Sequence, residues 1–173
     1  MYTKGKNFEC KAYHGTKIEL AKEIIHSKKF IRSTEEQEWL GDGVYFFQDD
    51  KRQAEDFCYK ARKYENWSVI EVDISAEKLL DLIDTETFEL FEEFAKQLKN
   101  KYKTCKDGQP RKLMNAVIIN TLYKLNAFDL VRAVFPIPKR ECAPRTNISP
   151  MQIQICVRNM NCIIIKGVIS NGC

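Results

Sequence analysis

Two segments of strict period-two alternation, one near each end of the sequence, constrain the fold more than anything between them. Phe8, Cys10, Ala12 and His14 share one face and Glu9, Lys11 and Tyr13 the other. That is the pattern of a half-buried strand ending with His14 on its inner side. Far along the chain, Met151, Ile153, Ile155 and Val157 alternate with Gln152, Gln154 and Cys156. Strands at both ends with helical patterns between them point to an α+β fold rather than a regular βαβ series.

The intervening patterns fill in the elements. Gly15 breaks the first strand, and Thr16-Lys17-Ile18-Glu19 has capping-box spacing for a helix striped by Ile18, Ala21 and Ile25. Trp39 to Phe47 reads as a glycine turn entering a short aromatic strand, and Asp50-Lys51-Arg52-Gln53 as a helix start. Val69 to Ile74 alternates again, with Ile70, Val72 and Ile74 inward. Phe88, Phe91, Ala95 and Leu98 stripe a helix beginning near Asp84 or Thr85, and a further helix covers Lys112 to Leu125. Leu130 to Phe135 and Cys162 to Ile169 are β-prone, separated by a proline-punctuated basic loop from Pro136 to Pro150 and the late strand. No repeat or linker divides the chain, so 1–173 is expected to be one domain with a helical insert over 84–125.

Composition narrows the function classes. A chain of 173 residues buries a two-layer core without staples. Its net charge of +4 is too modest to announce a nucleic-acid binder by itself. No apolar run approaches the roughly 18 residues of a membrane helix, and Met1 to Lys6 leads into no apolar secretion segment. A cytoplasmic location without membrane contact is the expectation. The seven cysteines are odd in number and form no CxxC pair, and neither His14 nor His26 has metal-ligand spacing with them. They read as reduced thiols, several of them buried, with no metal site.

Four features stand apart from core building. Tyr13-His14-Gly15-Thr16 puts a histidine at a strand end beside a residue whose missing side chain lets a planar ligand lie against the backbone. Leu40-Gly41-Asp42-Gly43-Val44-Tyr45-Phe46-Phe47 offers an aromatic floor for a flat ring, or simply a hydrophobic hairpin. Gln152 and Gln154 lie on one strand face, either as solvated amides or as hydrogen-bonding groups lining a cleft. Lys139, Arg140 and Arg145 in the preceding loop, and the basic stretch Lys96 to Lys112, are solvated surface unless a site lies beside them, where they favour an anionic target.

Taken together and in order, these segments resemble the ADP-ribosyltransferase family in its diphtheria-toxin-like and PARP-like branch. The resemblance is carried by Tyr13-His14-Gly15-Thr16, Leu40-Gly41-Asp42-Gly43-Val44-Tyr45-Phe46, Gln53-Ala54-Glu55-Asp56-Phe57-Cys58 and Gln154-Ile155-Cys156-Val157. It implies a split β-sheet core with flanking and inserted helices, and NAD as co-substrate. His14 would hold the adenosine ribose, with Gly15 and Thr16 beside it and the Gly15 backbone bonding the nicotinamide amide. Tyr45 would stack on the nicotinamide with Phe57 opposite, and Ser33 matches a polar residue that reaches the nicotinamide ribose.

The departure is Gln154, which stands where most relatives carry a catalytic glutamate. Sliding the alignment by two puts Gln152 there. Glutamine bonds a 2′-hydroxyl but supplies neither a base nor negative charge beside a developing cation. Poly(ADP-ribose) elongation is therefore not expected, whereas transfer of a single ADP-ribose stays open. Small bacterial toxins of this family, including those of antiphage toxin–antitoxin systems, have this compact layout. The resemblance thus implies a mono-ADP-ribosyltransferase toxin with His14, Tyr45 and Gln154 at its centre. Its acceptor would be RNA more than DNA, or else a protein, and an antitoxin is a further implied partner. The competing readings are an inactive NAD- or ADP-ribose-binding module and an NAD glycohydrolase.

Overall fold

The computed structural model describes residues 7–33, 39–101, 115–137 and 146–173. Strand β1 spans Phe8–Lys17 and is followed by helix α1, Ile18–Ser27. Strand β2, Val44–Gln48, leads into helix α2, Lys51–Asp56, which widens into a π-turn over Phe57–Ala61. Then come β3 (Trp67–Ala76), β4 (Leu79–Asp81), α3 (Thr85–Lys101), α4 (Asn115–Leu125), β5 (Leu130–Pro136) and β6 (Met151–Val157). A 3-10 turn at Met160–Cys162 precedes β7, Ile163–Gly172.

The seven strands form one mixed sheet in the order β4-β5-β6-β2-β1-β3-β7. The short β4–β5 pair is parallel and every other neighbour is antiparallel. The fold is α+β. Its two flanks are tied unevenly: β1 and β3 share ten consecutive residue pairs, but β1 and β2 share only Ala12–Gln48 and Tyr13–Phe47. The sheet is thus thinly paired between β1 and β2.

Strand β1 also corrects a boundary. It does not stop at His14: Gly15 stays opposite Val69 and Thr16 opposite Ser68. Thr16 is a buried strand residue, and the N-cap of α1 is Lys17, which makes no side-chain capping bond. Continuing an uninterrupted antiparallel ladder outweighs a single capping bond, which contributes about 1 kcal/mol. Asp50, by contrast, does cap α2, accepting the Gln53 amide proton at 3.1 Å. Asp84 likewise accepts from Thr87 N–H at 2.9 Å ahead of α3.

Both faces of the sheet are covered. One core joins Ala12, Phe46, Ile70, Val72, Ile155 and Val157 to Ala21 of α1. The other lies under α3 and α4 and includes Leu40, Phe91, Ile119, Leu122, Val131 and Cys156. Burying a side chain such as Phe46, 1% exposed, stabilises the fold by about 1.5–3 kcal/mol. A smaller cluster of Ala54, Cys58, Trp67 and Val69 sits beneath α2. Cys58, Cys156 and Cys162 are buried free thiols, and Cys105 and Cys142 fall outside the described residues. Burial pushes the Cys58 thiol up to about 12. Among the described residues no helix is long and apolar enough to cross a membrane.

Candidate functional site

The parting of β1 and β2 is the place where backbone groups leave the ladder. The Lys11 carbonyl accepts the Asp49 amide proton at 3.0 Å, so odd-numbered residues of β1 turn their backbone groups toward β2. Gly15 thus presents its N–H and C=O to that side, two residues beyond the last β1–β2 pair. Continued register would set it opposite Tyr45, but the Tyr45 carbonyl is taken by His14 Nδ1 at 2.8 Å. A side chain has replaced the next rung of the sheet.

That bond fixes the imidazole. A carbonyl only accepts, so Nδ1 carries the proton, and in the neutral ring Nε2 is left as an acceptor. The ring packs against Phe30 and Phe46 at centroid distances of 5.3 and 5.6 Å. Burial holds its pKa below the ordinary 6.5, with the Tyr45 carbonyl opposing that shift. Neutral His14 is an oriented acceptor, suited to a hydroxyl such as that of a ribose.

Gly15 admits no side chain. A Cβ there would meet the Ala54 carbonyl and the Cys58 sulfur, both inside 3.0 Å, because α2 packs directly onto this point of β1. The π-turn that continues α2 opens on Phe57, 6.0 Å from Phe47 between ring centroids. It is closed by the Arg62 amide donating to the Phe57 carbonyl at 2.9 Å. One extra residue in the turn brings Arg62 above Phe57, and the guanidinium lies 5.2 Å from the ring centroid.

Tyr45 lies on the sheet face opposite to Phe46, packed against the core under α3 and α4. Its hydroxyl donates to the Gly41 carbonyl at 2.7 Å and accepts from the Leu40 amide at 2.9 Å. The turn before it has the two glycines it needs. Gly41 has φ +78 and no space for a Cβ beside Asn120 and Arg158, and a Cβ on Gly43 would meet Cys156 and Val157. Ser33 joins the same turn from outside, exchanging two backbone hydrogen bonds with Gly43 at 2.8 and 3.0 Å.

Gln154 stands opposite Phe47 on one side and Ala133 on the other, two pairs along from Tyr45 and Cys156. Strand alternation puts it on the Tyr45 face, partly buried, while Gln152 on that face is buried. The structure thus groups Tyr45, Phe47 and Gln154 on one face. His14 belongs to the other face and meets Tyr45 only where the two strands part. Thr16, buried in the β1–β3 ladder, is one step further along the strand. Lys139, Arg140, Arg145 and most of Lys96 to Lys112 lie outside the described residues.

An apolar cavity of about 560 Å³ opens between α3, α4 and β5, with Leu40, Phe88, Phe91, Ile118, Ala133 and Phe135 in its wall. It touches the Tyr45 region through Leu40 and the Gln154 region through Ala133, and His14 and Gly15 are not in its lining. Sequence periodicity gave no hint of it.

Sequence reasoning also missed Arg158 and Asn120. Arg158 is 3% exposed, donates from Nη2 to the Leu40 carbonyl at 3.3 Å and to Asn120 Oδ1, and is flanked by the Tyr123 and Phe128 rings at 4.7 and 5.3 Å. Asn120 Oδ1 also accepts the Asp42 amide proton at 3.1 Å, and its Nδ2 donates to Asp42 Oδ1 at 3.0 Å. The only signal was a lone arginine directly after an apolar strand.

No protein-family model matches the chain. An uncharacterized protein of Methanocaldococcus jannaschii is 28% identical over 178 residues, a similarity that spans 87% of this chain and 83% of the relative.

Proposed function

We propose that this chain is an ADP-ribosyltransferase with the split-sheet fold of that family, taking NAD at the parting of β1 and β2 and passing on a single ADP-ribose. The observation that carries the reading is the His14–Tyr45 bond at 2.8 Å. It replaces a sheet rung, leaves the Gly15 backbone facing the parting, and orients Nε2 as an acceptor. A primary amide needs one donor and one acceptor, which a single residue's N–H and C=O supply together. A ribose hydroxyl needs an acceptor such as Nε2. Tyr45 and Phe57 contribute the flat faces, and Ser33 stands beside the turn that holds Tyr45.

Nicotinamide would leave through an oxocarbenium-like transition state, and the chain's own part is orientation and electrostatics. Gln154, on the Tyr45 face, would bond a hydroxyl of the nicotinamide ribose. The acceptor is macromolecular, RNA in preference to DNA, with a protein side chain as the other class, as befits a cytoplasmic toxin. Labelled NAD incubated separately with RNA, DNA and protein pools tests this: label is expected on RNA. Label on none of the three, with no nicotinamide released, would overturn transfer.

One observation favours a second reading. The residue at the reacting position is an amide, so a module that holds NAD or ADP-ribose without transfer remains the alternative. It requires NAD binding with no nicotinamide release under any acceptor condition.

A further inference from the structure

We infer that Arg158 and Asn120 are positioning residues that set the Tyr45 ring from behind, through the Gly41–Asp42–Gly43 turn. This rests on the reading of Tyr45 as the residue that stacks on nicotinamide. A buried guanidinium is costly unless its charge and protons are met. Arg158 meets them with two aromatic faces, the Leu40 carbonyl and the Asn120 amide, and its Nε has no hydrogen-bond partner among the described residues. Among the described residues no carboxylate forms an ion pair with it, and Asp42 is reached through Asn120. A charge kept at such cost, where an apolar residue would pack, calls for a task.

The hydrogen bonds define that task. Leu40 uses its carbonyl for Arg158 and its amide for the Tyr45 hydroxyl. Asp42 is held at its amide and its carboxylate by Asn120. Gly41, between them, receives the Tyr45 hydroxyl proton, and its left-handed φ of +78 depends on there being no side chain against Asn120 and Arg158. The hydrogen bonds that Leu40 and Gly41 make to the Tyr45 hydroxyl thus come from a turn that Arg158 and Asn120 clamp. Asn120 lies on α4, so the inserted helices contribute to the site through this clamp.

The test separates the clamp from ordinary packing by exchanging its donors and acceptors. Asn120→Asp keeps an oxygen for Arg158 and for the Asp42 amide but sets two carboxylates against each other where Nδ2 had donated, whereas Asn120→Asp combined with Asp42→Asn restores one donor facing one acceptor. Amide hydrogen exchange at Leu40 is read without NAD, since that N–H donates to Tyr45 and does not touch Asn120. Tyr45→Phe gives the rate of the freed amide. Losing one such bond corresponds to about tenfold, so Asn120→Asp is expected to speed Leu40 exchange and to weaken NAD binding each by about that factor, with a fall in melting temperature no larger than that of Tyr45→Phe. The double variant is expected to restore both. Unchanged Leu40 exchange in Asn120→Asp, or no recovery in the double variant, overturns the clamp. Should Asn120→Asp fail to fold, Asn120→Ala is read in the same way. If wild-type protein does not bind NAD, the NAD reading fails, and Leu40 exchange still decides the clamp.

Discussion

His14 Nδ1 and the Tyr45 carbonyl oxygen stand 2.8 Å apart, across the place where two neighbouring strands stop pairing. On the proposed reading, the bond ties NAD binding to the protonation of one ring. Burial depresses the His14 pKa, so the neutral form is the one the folded protein favours. For a depressed pKa the stabilisation is fully present above the unfolded value, about 6.5, and is lost as pH falls below it through the folded value. NAD affinity should follow, because protonated Nε2 no longer accepts. We expect binding titrations to be flat down through pH 6.5 and to weaken only as pH falls further, through the depressed value of the folded protein. His14→Ala should abolish most binding and with it this dependence; a His14→Ala protein that binds NAD as wild type does would remove His14 from the site.

Gly15→Ala is the most direct probe of the backbone at the parting. The new methyl would press on the Ala54 carbonyl and Cys58, so α2 must shift. Overpacking of this kind costs about 1–3 kcal/mol, read as a lower melting temperature. NAD binding should fall further than stability accounts for, since Phe57 opens the π-turn that continues the displaced helix.

Tyr45 separates ring from hydroxyl. Tyr45→Phe loses the bonds to Gly41 and Leu40 and should cost about 1–3 kcal/mol of stability while keeping a stacking face. Tyr45→Ala removes the face itself. We expect nicotinamide release to survive in the first variant and to be largely lost in the second; equal activity in both would show that nothing stacks on this ring.

The ion pair of Arg132 and Asp81 supplies a contrast away from the site. Arg132 donates from Nε and Nη2 to the two Asp81 oxygens at 2.8 and 2.7 Å, tying β5 to β4, and from Nη1 to Gln48 at 3.3 Å. Asp81 is 6% exposed. Asp81→Asn leaves a shielded guanidinium without its counter-charge, and for a buried pair that costs about 3–5 kcal/mol. Thermal unfolding should report the loss, with NAD affinity unchanged in the protein that remains folded.

How much of this was legible beforehand follows from what each signal measures. Alternation reports burial, so β1, β3 and β6 could be read from Phe8, Val69 and Met151 onward, as could the faces of His14 and Gln154. It says nothing about pairing partners. The extension of β1 through Gly15 was hidden because glycine marks a strand end and a close backbone approach alike, and only the packing of Ala54 tells them apart. The three-residue β4 is too short to show a period. Arg158 and Asn120 lie 38 positions apart and matter only through the turn they share, a relation that local patterns do not encode.

The last test concerns the residue where the chain departs from its resemblance. Gln154 is flanked in register by Phe47 and Ala133, so a carboxylate placed there would be partly desolvated and its pKa raised. Gln154→Glu would still bring negative charge to the face that carries Tyr45. If the nicotinamide ribose lies on that face, the charge favours the developing cation, and a positioned carboxylate is worth about 100-fold or more. Nicotinamide release is therefore expected to rise by at least tenfold, and to rise with pH as the new carboxyl ionises. Gln154→Ala should move the rate the other way with little change in melting temperature. A rate that ignores both substitutions would place the reacting carbon away from β6, leaving Gln154 a half-buried amide in the sheet and the binding-module reading the stronger of the two.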